Sequence, residues 1–196
     1  MDEFKKGREI LLNHGIIAFP TDTVIGLGVN GTDPVAVKKL FALKKRAFDK
    51  PLSLLTFSLT EITKYASAIP SCAYELFEKY FPGALTVVLN SSEELYTTPL
   101  KKAKSIGVRI PNSYILLNFL AYIKIPLLAT SANITDHPPL LNKNNVLNTF
   151  GEAVYPLLFQ HNVESSNVPS TVVDCREGKP IILRKGALTL SLTYDA

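Results

Sequence analysis

Several groups of polar residues follow directly on apolar runs, and their types suit the binding of anions and small polar molecules. Thr21, Asp22 and Thr23 come straight after Ile16–Phe19. Three hydrogen-bonding side chains at a strand end can orient a small polar ligand. Lys38, Lys39, Lys44, Lys45, Arg46 and Lys50 crowd a second stretch, opposed only by Asp49. Cations favour a helix C-terminus, which accounts for one or two of them. Lys44 needs more, because it continues the apolar stripe of Val37, Leu40 and Phe41. A lysine on a buried face requires an anionic partner or a route to water. Lys44-x-Arg46 would suit a polyphosphate, with lysine as a point charge and arginine as a fork across two oxygens.

Two arginines lie inside strand patterns. In IGVRIP, Ile106, Val108 and Ile110 alternate onto one face and leave Gly107 and Arg109 on the other. A buried arginine requires a carboxylate or phosphate, which an internal salt bridge or a ligand supplies equally well. Arg184, in PIILRKG, poses the same alternatives. Thr130, Ser131 and Asn133 leave the apolar PLLA run as Thr21 to Thr23 leave theirs. Polar residues emerging from several strand ends describe a ligand crevice in an α/β sheet.

Other chemistries lack their residues. His14, His137 and His161 are scattered, and no pair has metal-ligand spacing. No nucleophile elbow, Cys/His arrangement or Walker loop is present. Hydroxyls, an amide and cations with no convincing general base catalyse by positioning and charge neutralisation. Gly26, Gly28 and Gly31 have the spacing of a dinucleotide fingerprint, but Pro20 to Ile25 separate them from the strand. The helix signal Asp33-Pro34 follows the last glycine. A pyrophosphate site needs that helix to begin within the motif, so no nicotinamide or flavin is expected. The glycines read instead as a turn that lets the chain double back.

The elements that must hold these residues alternate along the chain. Helical spacing covers 4–11, 34–44, 60–67, 71–80, 113–123 and 142–150. Strand patterns fall at 16–19, 52–56, 84–89, 106–110, 125–129, 154–159, 171–175 and 180–185. The expectation is one α/β domain over residues 1–196, an open twisted mixed sheet flanked by helices.

Composition agrees with a globular chain: 196 residues, 46% hydrophobic and 19% charged. A net charge of +4 favours anionic partners such as nucleotides or RNA. Cys72 and Cys175 are the only cysteines, which suggests a reducing compartment and no disulfide framework. The mixed-charge N-terminus lacks a signal-peptide core, and the apolar region 114–129 is interrupted by Asn118, Lys124 and Pro126. A cytoplasmic location without a membrane span is therefore expected.

Taken in order, FPTDTVIGLG, KKRAFDKPL, FPGALTVVL, IGVRIP, TSAN and PSTVVD…PIILRKG resemble the YrdC/TsaC family, the threonylcarbamoyl-AMP synthases of tRNA modification. The resemblance spans nearly the whole chain and is similar to the family's short, single-domain type. It implies L-threonine, bicarbonate or CO2, and ATP as substrates, with Mg2+ carried mainly by the ATP phosphates. It implies threonylcarbamoyl-adenylate and pyrophosphate as products, a tRNA threonylcarbamoyl transferase machinery downstream, and contact with tRNA or double-stranded RNA. Lys44, Arg46, Lys50, Ser131, Asn133 and Arg184 correspond to ATP-binding positions, with Lys44 and Arg46 as the catalytic cations. Thr21, Thr23, Arg109, Thr130 and Thr171 correspond to the L-threonine side, and no residue corresponds to a protein metal ligand. Ile25, Ala47 and Pro139 depart from the usual tyrosine, proline and serine of the motifs. The rival readings are a non-catalytic RNA-binding module on the same basic face, and carbamoyl transfer in metal-centre maturation.

Overall fold

The computed structural model describes residues 2–47, 52–92 and 104–190. Helix α1 (Asp2–Leu12) buries Gly7 and Leu11 and leads into β1 (Ile17–Phe19). The chain then doubles back through residues 20–25 into β2 (Gly26–Asn30), antiparallel to β1 with Phe19 opposite Gly26 and Ile17 opposite Gly28. Gly31 stands in the turn that follows, whereas Gly26 and Gly28 are in the strand itself, which corrects the sequence expectation for them. Their use is steric. A Cβ on Gly26 or on Gly28 would stand 2.8 Å from the Phe19 ring, so the bare backbone makes the floor on which that ring lies.

Asp33 ends this hairpin and starts α2 (Pro34–Leu43). Its carboxylate accepts from the Val35 amide at 2.9 Å and the Ala36 amide at 3.3 Å, with Pro34 in the first turn. The remaining elements are β3 (Ser53–Leu55), α3 (Leu59–Tyr65), β4 (Ala66–Ala68), α4 (Ser71–Tyr80), β5 (Leu85–Ser91) and β6 (Ser105–Arg109). They continue with α5 (Tyr114–Ile123), β7 (Leu127–Ser131), α6 (Lys143–Phe150), β8 (Tyr155–Pro156), β9 (Thr171–Asp174) and β10 (Ile181–Arg184). Residues 66 and 67, expected to end a helix, belong instead to β4, which pairs with β5. The strand expected over 154–159 has only two residues in the ladder, and Thr130 and Ser131 belong to β7 itself.

The strands form one mixed sheet in the order β10-β9-β5-β6-β3-β7-β2-β1-β8, with β4 added on β5. The pairs β3–β6, β5–β9 and β1–β8 are parallel and the rest antiparallel. Helices cover both faces, which explains why strands such as β1 and β2 are buried at every position. Consecutive residues divide between two cores. Ala18, Leu54 and Leu128 pack with α2 and α4, whereas Ile17, Phe19, Leu55 and Leu127 pack with α1 and α5.

The second core spans only half of its face. Beyond Leu55 and Ala129 that face continues as Ser53, Gly107, Thr86 and Val88, which line an open crevice. A β-bulge between Ile182 and Arg184 shifts the register at the sheet edge, and Leu183 and Arg184 both turn to the same crevice. Among the described residues, no helix is long and apolar enough to cross a membrane.

Candidate active site

The crevice has a volume of about 690 Å³ and is walled by β2, β3, β5, β6, β7, β9 and β10. Thr21, Thr23, Arg46, Arg109, Thr130, Ser131 and Arg184 all line it, although they come from five separate stretches of chain. Ser53, Thr86 and Ser170 line it too and were not singled out from the sequence. Ser170 had a signal, since it precedes Thr171 in the PSTVVD motif. Thr86 likewise stands within the FPGALTVVL motif, and Ser53 had no signal beyond its place in a strand.

Arg109 is held by its own chain. Its Nε donates to the Gly83 carbonyl at 3.0 Å, Nη1 to Thr23 Oγ1 at 2.7 Å, and Nη2 to Asp22 Oδ1 at 2.6 Å. Of the two readings the strand pattern left open, the internal salt bridge is present, and Asp22 is its carboxylate. Burial pulls the guanidinium pKa down and Asp22 pushes it back up. Three of the five N–H groups are engaged in these bonds, leaving one on each terminal nitrogen. Two such donors are what a second carboxylate requires.

The arginine also sets the threonine hydroxyls. Since a guanidinium only donates, Thr23 Oγ1 accepts from Arg109 and donates to Thr21 Oγ1 at 3.0 Å. Thr21 Oγ1 in turn donates to the Val24 carbonyl at 2.7 Å and accepts from the Thr23 amide at 3.1 Å. Thr21 is thereby committed within the turn, and Thr23 keeps one lone pair for a ligand donor.

Lys44 is 1% exposed. Its Nζ donates to the Ser131 carbonyl and, at 3.0 Å, to Asn133 Oδ1. Thr135 clasps the Lys44 carbonyl from the other side, by its hydroxyl at 2.9 Å and its amide at 3.0 Å. Burial, then the charge of Arg46, lowers the Lys44 pKa to about 7. Lys44 thus joins the Lys-x-Arg segment to the loop after β7, while Arg46 lines the crevice itself. Asn133 is fully used in that loop: Oδ1 also accepts from Ser131 Oγ at 2.6 Å, and Nδ2 donates to the carbonyls of Ile134 and His137.

On the far wall, Arg184 donates to the Ser170 carbonyl from Nε at 3.1 Å and from Nη2 at 2.8 Å. Ser170 Oγ meets Thr86 Oγ1 at 2.8 Å, so β5, β10 and the loop before β9 are tied together. Burial lowers the Arg184 pKa. Thr171 does not line the crevice. It is 1% exposed, and its hydroxyl donates to the Leu188 carbonyl and accepts from the Gly186 amide. Lys50 lies outside the described residues. Of the motif departures, Ile25 is buried in the core, Ala47 is exposed and Pro139 is half-buried.

A family model described as telomere recombination, that of the Sua5, YciO and YrdC proteins, matches residues 9–186. The chain belongs to the Sua5/YciO/YrdC family. It is 34% identical over 175 residues to the threonylcarbamoyl-AMP synthase of Pyrococcus abyssi, covering 89% of this chain and 51% of that protein. Against the threonylcarbamoyl-AMP synthase of Bacillus subtilis it is 27% identical over 181 residues, covering 92% of this chain and 52% of that one. It superposes with a TM-score of 0.84 and 31% identity on the crystal structure of Pyrococcus abyssi Sua5 complexed with L-threonine, covering 94% of this chain and 54% of that one. The chain therefore spans about half the length of the curated relatives it matches. The mixed α/β sheet flanked by helices, read from the sequence, is the fold of this family.

Proposed function

We propose that the chain synthesises L-threonylcarbamoyladenylate from L-threonine, bicarbonate or CO2, and ATP with release of pyrophosphate, and that the adenylate feeds tRNA threonylcarbamoyladenosine formation. The observation that carries this reading is the convergence of Arg46, Arg109, Arg184 and the strand-end hydroxyls on one crevice, in a fold whose relative was crystallised with L-threonine.

The chemistry follows from the side chains. The neutral threonine amine adds CO2 and becomes a carbamate. A carbamate oxygen attacks the α-phosphorus of ATP in line, and pyrophosphate leaves. The two free N–H groups of Arg109 hold the threonine carboxylate, and the remaining lone pair of Thr23 accepts from the amino acid. Arg46 neutralises the phosphates and the departing pyrophosphate. Lys44 acts at one remove, by fixing the Ser131–Asn133 loop against which the nucleotide rests. Arg184 closes the wall opposite.

Among the described residues, no cluster of three acidic, histidine or cysteine side chains could hold a metal ion. In this reading Mg2+ enters with ATP as part of the substrate.

The test is pyrophosphate release from ATP with threonine and bicarbonate omitted in turn. Release that requires both supports the synthase. Equal release without threonine overturns it, and salt-sensitive RNA binding with no cleavage of ATP would favour the RNA-binding module.

A further inference from the structure

Thr21 and Thr23 line the crevice, but Asp22 between them lines a second cavity of about 570 Å³. Helix α5 begins at this cavity. Ser113 is its N-cap residue in extended conformation, yet its side chain caps no amide. Ser113 is 6% exposed, and its Oγ is buried without a hydrogen-bond partner among the described residues. The first intrahelical bond runs from the Leu117 amide to the Ser113 carbonyl, which leaves the Tyr114 and Ile115 amides at the positive end of a ten-residue helix. A lone hydroxyl beside such amides is the donor set for a carboxylate.

Negative charge stands elsewhere in the same cavity. Glu164 lines it, as does Asp22, whose Oδ1 is engaged with Arg109. The loop carrying Glu164 is fastened to the turn: Ser165 Oγ donates to the Thr23 carbonyl at 2.6 Å, and the Ser166 amide to the Asp22 carbonyl at 3.0 Å. A phosphate would meet the helix end but also two carboxylates. A simple cation would meet the carboxylates but also the helix end. A small molecule carrying both charges satisfies both.

We propose that this cavity binds a free α-amino acid, with its carboxylate on the Ser113 hydroxyl and the α5 amides and its ammonium between Glu164 and Asp22. The site is separate from the crevice and does not depend on the reaction assigned there. Because Asp22 serves both, an ammonium beside it competes for the charge that holds Arg109, and occupancy of the cavity is communicated to the crevice.

The experiment is titration of the ¹⁵N-labelled full chain with glycine, acetate and methylammonium, followed at the backbone amides of Tyr114 and Ile115. Glycine should shift both saturably, at concentrations about tenfold or more below those acetate needs. Methylammonium should leave them unmoved. Ser113→Ala should weaken glycine about tenfold. Glu164→Gln, at an exposed position, should bring glycine down to the level of acetate without changing acetate itself, and it remains informative if the serine variant does not fold. Acetate binding as tightly as glycine, or glycine shifting only crevice amides such as Gly107 and Thr130, overturns the proposal. Since no turnover is measured, a failed synthase assay leaves this result standing.

Discussion

Asp22 Oδ1 and Arg109 Nη2 lie 2.6 Å apart, and their side chains are only 12% and 7% exposed. This buried pair connects the turn after β1 to the end of β6 and presents the rest of the guanidinium to the crevice. Removing the arginine therefore strands a carboxylate. Arg109→Ala is expected to cost about 3–5 kcal/mol of stability and to abolish threonine binding in the crevice. Asp22→Asn keeps an oxygen acceptor and should cost less. Urea unfolding of both variants, beside titration with threonine, measures the two effects; an Arg109→Ala protein as stable as wild type would show the pair to be dispensable.

Arg46 lines the same crevice with a different ligand to meet. Arg46→Ala should weaken ATP about ten- to a hundred-fold, the value of one charge-assisted contact of about 1.5–3 kcal/mol. Threonine recognition should be nearly unchanged, because Arg109 and Thr23 are untouched. Calorimetric titration with ATP, and with threonine beside a non-hydrolysable analogue, separates the two.

Lys44 carries a pH dependence whose sign is fixed by its burial. Unfolded, the amine keeps its proton up to about 10.5; folded, it loses it near about 7. Between those values unfolding takes up a proton, so the contribution of Lys44 to stability grows as pH rises. Replacing Lys44 by Met should remove that rise. Urea midpoints from pH 7 to 9 for both proteins test it, and parallel curves would assign the trend to other groups.

The Phe19 ring leaves no room beneath it. Gly28→Ala would set a methyl 2.8 Å from Phe19 and 3.0 Å from Leu127, an overpacking worth about 1–3 kcal/mol. The double variant with Phe19→Leu should recover much of the loss. Thermal unfolding of the single and double variants reads the coupling directly.

What the sequence disclosed, it disclosed through local rules. The helix begun by Asp33-Pro34 and the stripes of α4 and α5 follow spacing and capping, and they stand close to where expected. Strand-end hydroxyls and the two strand arginines were readable because such residues need partners wherever they are buried. The partners were not. Asp22 meets Arg109 across 87 positions only in the folded sheet, and Lys44 finds neutral oxygens at the end of β7 and in the loop after it in place of an anion. β2 was hidden for a related reason: glycines have no strand preference of their own, and pairing with β1 and β7 on either side makes a strand of that stretch. The crevice lies where the face packed by α1 and α5 continues past Leu55 and Ala129 as Ser53, Gly107, Thr86 and Val88, which no single segment encodes.

The order of pairing also bears on how the protein emerges from the ribosome. β5 is made early, but its parallel neighbour β9 lies at Thr171–Asp174, and β10, which brings Arg184, comes later still. Until those residues are synthesised, one side of the apolar run Leu85–Leu89 has open backbone donors and acceptors. A nascent chain stalled before residue 171 would lack one wall of the crevice and display a strand edge to its neighbours. Chaperone capture at that length, and aggregation without it, is the cost of a site assembled from both ends of the chain.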